Sequence, residues 1–202
     1  MKLKYNVLFC DIGGVLLTNG WGHKSRMAAA KKFDFDYEEM NIHHNFIFNV
    51  YEMGKITLDE YLDQVVFNQP RIFSREVFKE FMFAQSELLP DMLPWFINWK
   101  KRHPHLKVIS INNEARELNQ FRIRKFRLHD FFDAFVSSCE VEMRKPDPEI
   151  FELALGIAQE SPEKCLYLDD HVMLAEAASK IGIKGFHHER FEVTRDIFEN
   201  LT

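Results

Sequence analysis

NVLFCDIGGVLLTNG, residues 6–20, carries an apolar run that ends on Asp11 and is followed by two glycines. A short apolar run bounded by glycine predicts a fully buried strand, here over residues 5–10. Parallel α/β sheets keep their functional sites beyond the carboxyl ends of their strands. If the sheet is parallel, Asp11 is therefore the first candidate functional residue.

The chain after residue 90 alternates between helical and strand patterns. Strands are predicted over residues 106–111, 134–138 and 164–168 and in IKGFHH (183–188). Helices are predicted near 91–102 and in EARELNQFRIRKF (114–126), DPEIFELALGIA (147–158) and VMLAEAASKIG (172–182). This alternation predicts an α/β fold, a Rossmann-like doubly wound parallel sheet.

The stretch between the first strand and residue 88 is helical throughout. Helices are predicted in SRMAAAKKF (25–33), DYEEMNIHHNFIFNVYEMG (36–54), TLDEYLDQVVF (57–67) and SREVFKEFMFAQSELL (74–89). Thr57 with Glu60, and Ser74, have the character of helix N-caps, and Gly54 that of a helix stop. We therefore predict a core of residues 1–17 and 89–202, with an all-helical unit of residues 18–88 inserted after the first strand.

Composition narrows the class of function. The chain has 202 residues, of which 46% are hydrophobic, and a formal net charge of −5. This is enough for a buried core, and without a basic stripe we expect no nucleic-acid partner. No stretch has the apolar length of a membrane span, so we expect no membrane partner. Three widely spaced cysteines are typical of a reducing cytoplasm. The sequence leaves the oligomeric state open.

Polar residues follow four of the predicted strands. They are Asp11, the pair Asn112–Asn113, Lys145 in the loop EMRKPDPEIF, and the pair Asp169–Asp170. Each alone would be an ordinary turn or cap residue. Because the strand ends of a parallel sheet share one edge, their order predicts that all four converge on one site.

Four ordered motifs carry a family resemblance. FCDIGGVL (9–16), INNE (111–114), RKPDPEIF (144–151) and LYLDDHVMLAEAA (166–178) resemble the motifs of the haloacid dehalogenase (HAD) superfamily. The helical unit resembles the small cap that follows the first motif in phosphatase members. YEMGKIT (51–57) resembles a cap segment of the glucose-1-phosphate phosphatase-like branch.

The resemblance implies hydrolysis of a small phosphate monoester through an aspartyl-phosphate. It assigns Asp11 as the nucleophile. It assigns Mg²⁺ to Asp11, the backbone carbonyl of Gly13 and Asp170, which are the hard oxygen ligands this ion prefers. Asp169 and His171 would support these ligands, although Asp169 remains an alternate ligand and His171 an alternate acid–base group.

The same resemblance assigns the remaining phosphate contacts. Lys145 would neutralise the phosphate and keep the nucleophile ionised. The phosphate oxygens would be bound by the Asn112 side chain and by backbone N–H groups of Ile12, Gly13, Asn112 and Asn113.

Three positions depart from the family pattern. Gly13 stands where a second aspartate usually protonates the leaving group, a contribution worth about 10²–10⁴-fold in rate. Ile111 replaces a usual Ser or Thr, and the neighbouring Ser110 points to the opposite strand face. Leu174 replaces a frequent Asp or Asn. Without an acid at residue 13, we expect esters with good leaving groups, such as anomeric sugar phosphates, to be preferred.

Two alternatives stay open. A dehalogenase-type hydrolase would use Asp11 on carbon without a metal, and the paired acids of LDDH (168–171) count against it. A catalytically weak or silent binding protein would retain only the fold, as the departures at Gly13, Ile111 and Leu174 suggest.

Several other residues receive weaker predictions. His43 and His44 are expected on a solvated helix face. His187 and His188 point to opposite faces of a strand, so at most one is expected to bind a metal. Trp21 is expected to border the entrance of the site.

Overall fold

The computed structural model describes residues 3–201 and contains one five-stranded sheet. All pairings are parallel, and the strand order is β3-β2-β1-β4-β5. The strands are β1 (Val7–Cys10), β2 (Lys107–Asn112), β3 (Ala134–Ser137), β4 (Cys165–Asp169) and β5 (Lys184–His187). The predicted doubly wound α/β fold is confirmed.

The central strand β1 is buried on both faces. Leu8 and Cys10 belong to one hydrophobic cluster, whereas Val7 and Phe9 belong to another on the opposite face. Because side chains alternate along a strand, a helical layer must cover each side, which explains the continuous apolar run in the sequence.

Residues 3–201 form ten α-helices, which precede, follow or connect the strands of the sheet in the chain. They are α1 (His23–Phe33), α2 (Tyr37–Glu52), α3 (Leu58–Val65), α4 (Arg75–Ala84), α5 (Met92–Arg102), α6 (Arg116–Lys125), α7 (Ser138–Val141), α8 (Pro148–Ala158), α9 (Val172–Lys180) and α10 (Phe191–Glu199). Helices α5 and α10 cover one face of the sheet, and α8 and α9 cover the other. No helix in this part of the chain combines the length and apolarity needed to cross a membrane.

Helices α1–α4 lie within the predicted insert, residues 18–88, and supply most of a hydrophobic cluster that Ala115 and Leu118, at the start of α6, complete. The predicted caps are confirmed: Thr57 and Glu60 form a reciprocal capping box, and Ser74 accepts a hydrogen bond from the Val77 N–H. Tyr61 and Phe78 are fully buried between these helices. The insert is thus held together mainly by its own apolar contacts.

The two segments that join the insert to the core pair with each other. Thr18 N–H donates to the Glu87 carbonyl at 2.9 Å, and Leu89 N–H donates to the Leu16 carbonyl at 2.9 Å. The helix predicted over 74–89 therefore ends early, at Ala84, because its last residues form this antiparallel pair. The predicted domain limits remain a proposal, and residues 1, 2 and 202 lie outside the described residues.

Candidate active site

Asp11 lies at the carboxyl edge of the sheet, immediately after β1. Its N–H donates to the Leu168 carbonyl at 2.9 Å, which extends the pairing of β1 with β4 by one residue. This brings Asp11 beside Asp169 and Asp170. A ligand oxygen from each of the three lies within 4.8 Å of the others.

Lys145 reaches the same cluster from the loop after α7. Its Nζ lies 3.0 Å from Asp11 Oδ1 and 2.7 Å from Asp169 Oδ2, and its side chain is 2% exposed. Asn113 fixes the Lys145 backbone on both sides: its Nδ2 donates to the Lys145 carbonyl, and its Oδ1 accepts from the Lys145 N–H, each at 2.9 Å. The four predicted strand ends therefore do meet in one place.

The charges of this cluster do not balance. Three carboxylates and one ammonium leave two negative charges in a largely buried space. Burial raises the pKa of Asp11 to about 7; Lys145 opposes the rise, whereas Asp169 and Asp170 add to it. A divalent cation would cancel the excess charge and keep Asp11 ionised, so this all-oxygen donor set fits such an ion.

The two neighbouring aspartates differ in how much of their hydrogen-bonding capacity is used. Asp169 is fully buried and accepts from the Lys145 ammonium, the Tyr167 hydroxyl and the His171 N–H. Asp170 is more open, and within residues 3–201 its side chain accepts a single hydrogen bond, a long one of 3.3 Å from Asn19 to Oδ2. The geometry therefore leaves Asp170 better able than Asp169 to bind a cation.

The two glycines of the opening stretch have different roles. Gly14 has a φ of +69°, and a Cβ there would lie 2.0 Å from Asp170 Oδ2, so only glycine fits. Gly13 has no such restriction. The adjacent turn is closed by the Ile12 carbonyl and the Gly14 N–H, which bond to Leu17. This pairing does not use the Gly13 carbonyl, the oxygen predicted to bind a metal.

Asn112 is tied into the sheet rather than free. Its Oδ1 accepts from Ser137 at 2.9 Å and from Ser110 at 3.3 Å, and its Nδ2 donates to Asn119 at 3.1 Å. Its side chain braces β2, β3 and α6, which weighs against the phosphate contact predicted for it. The Ser110 hydroxyl donates to Asn112 in the same network, and Ile111 packs in the hydrophobic cluster on the other face of the sheet.

The structure gives different outcomes for the predictions about the histidines. The expectation that His44 is solvated is wrong: it is 8% exposed and its Nδ1 lies 2.8 Å from the Tyr61 hydroxyl. His188 is buried against Thr194, and His187 Nε2 lies 3.0 Å from the Asp170 carbonyl, so neither joins a cluster of metal-binding side chains in residues 3–201. His171 is exposed and contributes its backbone N–H to Asp169.

A cavity of about 310 Å³ opens between the insert and the core. Asn19 and Asn113 line it and also contact Asp170 and Lys145, so the cavity adjoins the carboxylate cluster. Trp21 is 7% exposed and lines the cavity as well. A larger and more open cleft of about 1220 Å³ is lined by Asp170 and shares Asn19 and Gly22 with the smaller cavity.

Sequence reasoning missed four charged residues of this cavity, namely Arg26, Glu52, Glu114 and Arg122. Arg26 and Glu52 lie on helices of the insert, where the helical pattern alone does not tell which face meets the core. Glu114 adjoins Asn113 in the INNE motif, and that adjacency was the one available signal.

The end of α2 joins the insert to the core beside this cavity. The Ser138 hydroxyl donates to the Glu52 carbonyl at 2.6 Å, and Arg144 donates to the Glu52 carboxylate at 2.5 Å. Gly54 follows with a φ of +69°, and a Cβ there would lie 2.3 Å from the Cys139 carbonyl oxygen. The YEMG segment is therefore a contact of the insert with the core.

The fold and the site together define an α/β protein with a helical insert and a lysine–carboxylate cluster at the carboxyl edge of its sheet. The chain belongs to the haloacid dehalogenase-like hydrolase family, whose model matches residues 5–182. The resemblance seen in the four motifs is confirmed.

Two individual proteins are similar to this chain over more than half of its length. A phosphorylated carbohydrates phosphatase of Thermotoga maritima is 31% identical over 130 residues, which cover 64% of this chain and 55% of that protein. The chain thus spans about half the length of that relative. An uncharacterized protein of Haemophilus influenzae is 23% identical over 191 residues, or 90% of each chain.

Solved structures show the same fold. A HAD family enzyme of Bacteroides thetaiotaomicron superposes with a TM-score of 0.82 at 22% identity, covering 96% of this chain and 98% of that one. The same enzyme was also crystallised in complex with magnesium and inorganic phosphate, and that structure has a TM-score of 0.78.

Proposed function

We propose that this chain hydrolyses small phosphate monoesters in a Mg²⁺-dependent reaction with Asp11 as the nucleophile. The observation that carries the proposal is the cluster of Asp11, Lys145, Asp169 and Asp170, which holds one buried ammonium against three carboxylates. A carboxylate so placed can attack an electrophile only if its own charge and that of the phosphate are compensated.

Each residue of the cluster has a separate role in the proposed reaction. Asp11 attacks phosphorus, the P–O bond to the leaving group breaks, and the alkoxide or phenoxide departs and takes a proton from solvent. Water then attacks the aspartyl-phosphate, which releases inorganic phosphate and restores the Asp11 carboxylate. Lys145 offsets the negative charge of the transferred group, and Asn113 holds its backbone in place. The backbone N–H groups of residues 12–13 and 112–113 are the proposed donors to the phosphoryl oxygens.

Asp11, the Gly13 carbonyl and Asp170 are the proposed ligands of Mg²⁺. When bound, the ion supplies positive charge that polarises the phosphoryl group and favours the ionised form of the nucleophile. Asp169, already engaged by three donors, orients Lys145 and the turn that carries Asp170.

The absence of a carboxylic acid at residue 13 determines which leaving groups we expect the protein to prefer. A Cβ at Gly13 would lie 3.1 Å from Asn19 Oδ1 and 3.8 Å from the Arg122 guanidinium, so a side chain there would require a small shift of the Asn19 side chain, and no carboxylic acid occupies the position. Esters whose alcohol departs readily as an anion are therefore the preferred substrates. Sugar phosphates are favoured among metabolites, in line with the name of the Thermotoga maritima relative.

The test is a series of 4-nitrophenyl, phenyl and alkyl phosphates with and without a chelator. We expect turnover that requires Mg²⁺ and falls along this series, with the alkyl ester slower by roughly 10²–10⁴-fold. Asp11→Asn is expected to abolish turnover. The matched control is Asp130→Asn, which alters an exposed carboxylate outside the cluster.

Each alternative has its own result. Activity that survives the chelator or the Asp11→Asn change contradicts the proposal. Metal-independent halide release from a 2-haloacid would assign the dehalogenase reaction instead. A folded protein with neither activity would be a binding protein that retains the fold.

A further inference from the structure

Arg26 is a buried cation that has no ion-pair partner among residues 3–201. It lies on α1, is 9% exposed and lines the 310 Å³ cavity beside the carboxylate cluster. Its two terminal nitrogens donate to neutral acceptors, the Trp21 carbonyl at 2.8 Å and Asn41 Oδ1 at 3.2 Å. Among residues 3–201, no acceptor reaches its Nε and no carboxylate forms an ion pair with it.

The other charges of the cavity are paired. The Glu52 carboxylate forms an ion pair with Arg144, and the Glu114 carboxylate forms one with Arg122, each at an N–O distance of 2.5 Å. Counting these two pairs as neutral leaves the single positive charge of Arg26. A charge removed from water without a partner is costly, and an anion bound in the cavity would offset that cost.

A residue that lines the cavity carries a second polar atom without a hydrogen-bond partner. Tyr51 lines the cavity at 4% exposure, and its hydroxyl has no hydrogen-bond partner in the described part of the chain. Its ring stacks on Tyr61 with centroids 4.2 Å apart, which holds the hydroxyl in place. Trp21 and Phe48 add apolar walls, so the cavity combines a flat apolar lining with a cation that has no ion-pair partner in residues 3–201.

We propose that the cavity binds the leaving group of the substrate and that Arg26 selects leaving groups carrying a second anionic group, a carboxylate or a second phosphate. This inference rests on the proposed phosphatase function, because the cavity reaches the cluster through Asn19 and Asn113. Arg26 binds the distal oxyanion.

The experiment compares matched substrate pairs on the purified protein with Mg²⁺. For the carboxylate, 4-carboxyphenyl phosphate is measured against 4-carbamoylphenyl phosphate, which is nearly isosteric and neutral at the distal end. For the phosphate, benzene-1,4-diyl bisphosphate is measured against 4-hydroxyphenyl phosphate. We expect kcat/KM to favour one anionic member by about tenfold to a hundredfold, the range of a charge-assisted hydrogen bond.

Variants then assign the preference to Arg26. Arg26→Met is expected to bring the ratio of kcat/KM values close to one, and Arg26→Lys, which keeps the charge but not the planar fork, to leave an intermediate ratio. Arg124→Met changes an exposed arginine of α6 and should keep the wild-type ratio. Binding of 4-carboxyphenyl phosphate to the Asp11→Asn protein, measured by calorimetry, should weaken by a similar factor when Arg26→Met is added.

The outcomes separate the two proposals. If no aryl phosphate is hydrolysed, the proposed function fails. If aryl phosphates are hydrolysed but both wild-type ratios are near one, the phosphatase stands and the role of Arg26 is overturned, whether or not Arg26→Met folds. A wild-type preference that persists in the folded Arg26→Met protein overturns it as well.

Discussion

Replacing Lys145 by methionine tests the cluster on which the proposed function depends. The ammonium lies 3.0 Å from Asp11 and 2.7 Å from Asp169, and the side chains of the lysine and of Asp169 are at most 2% exposed. Methionine fills a similar volume, so the change removes charge rather than packing. Burial acts to lower the pKa of Lys145, but the two carboxylates outweigh it and raise the pKa above the usual lysine value.

The cost follows from the charges left behind. Removing one partner of a buried ion pair typically costs about 3–5 kcal/mol, which is a large part of the ~5–15 kcal/mol that keeps a domain folded. We expect Lys145→Met to lower the free energy of unfolding by about 3–5 kcal/mol in the presence of a chelator. Phosphatase turnover should fall by about 10²–10³-fold, as for the loss of one donor to a developing oxyanion.

Urea unfolding at pH 8 measures the loss, with Lys180→Met as an exposed control that should stay within about 0.5 kcal/mol of wild type. Adding Asp169→Asn to Lys145→Met removes the more deeply buried carboxylate and should recover part of the lost stability. Mg²⁺ should also recover part of it, because it replaces some of the missing positive charge. A Lys145→Met protein within about 1 kcal/mol of wild type, unaffected by Asp169→Asn, would refute the electrostatic account of the cluster.

Two further predictions concern the insert. Gly54→Ala places a Cβ 2.3 Å from the Cys139 carbonyl oxygen at a φ of +69°. The urea midpoint should therefore fall by the equivalent of about 1–3 kcal/mol. The control is Gly156→Ala in α8, where the new Cβ meets no atom within 4 Å, and it should not destabilise the protein. Burial, with Arg26 nearby, lowers the pKa of His44 to about 3, so acidification below the ordinary histidine pKa protonates only the unfolded chain. Stability should therefore fall as the pH drops from about 6.5 toward 3, by up to about 1.4 kcal/mol per pH unit from this group. His44→Gln should have a shallower urea-midpoint profile between pH 7 and 4; an unchanged slope would contradict the burial of a neutral His44.

Much of the fold was predictable because its signals are local. The apolar run before Asp11, the capping box at Thr57 and the proline that begins α8 each act over a few residues. The order of the motifs then predicted which side chains would share the edge of the sheet. By contrast, α10 received no prediction, and its place over the sheet follows from the burial of Phe198 among residues distant in sequence.

The amino-acid sequence by itself determined the class of fold, the helical insert and the convergence of Asp11, Lys145 and the two aspartates, because parallel strands align their carboxyl ends whatever the loops between them do. Tertiary packing alone decided that Asp169 accepts three hydrogen bonds while Asp170 stays open, that Asn112 is tied into the sheet, and that Arg26 is buried without an ion-pair partner in residues 3–201. These outcomes depend on contacts between residues far apart in the chain. No local pattern encodes which polar atoms such contacts leave unpaired.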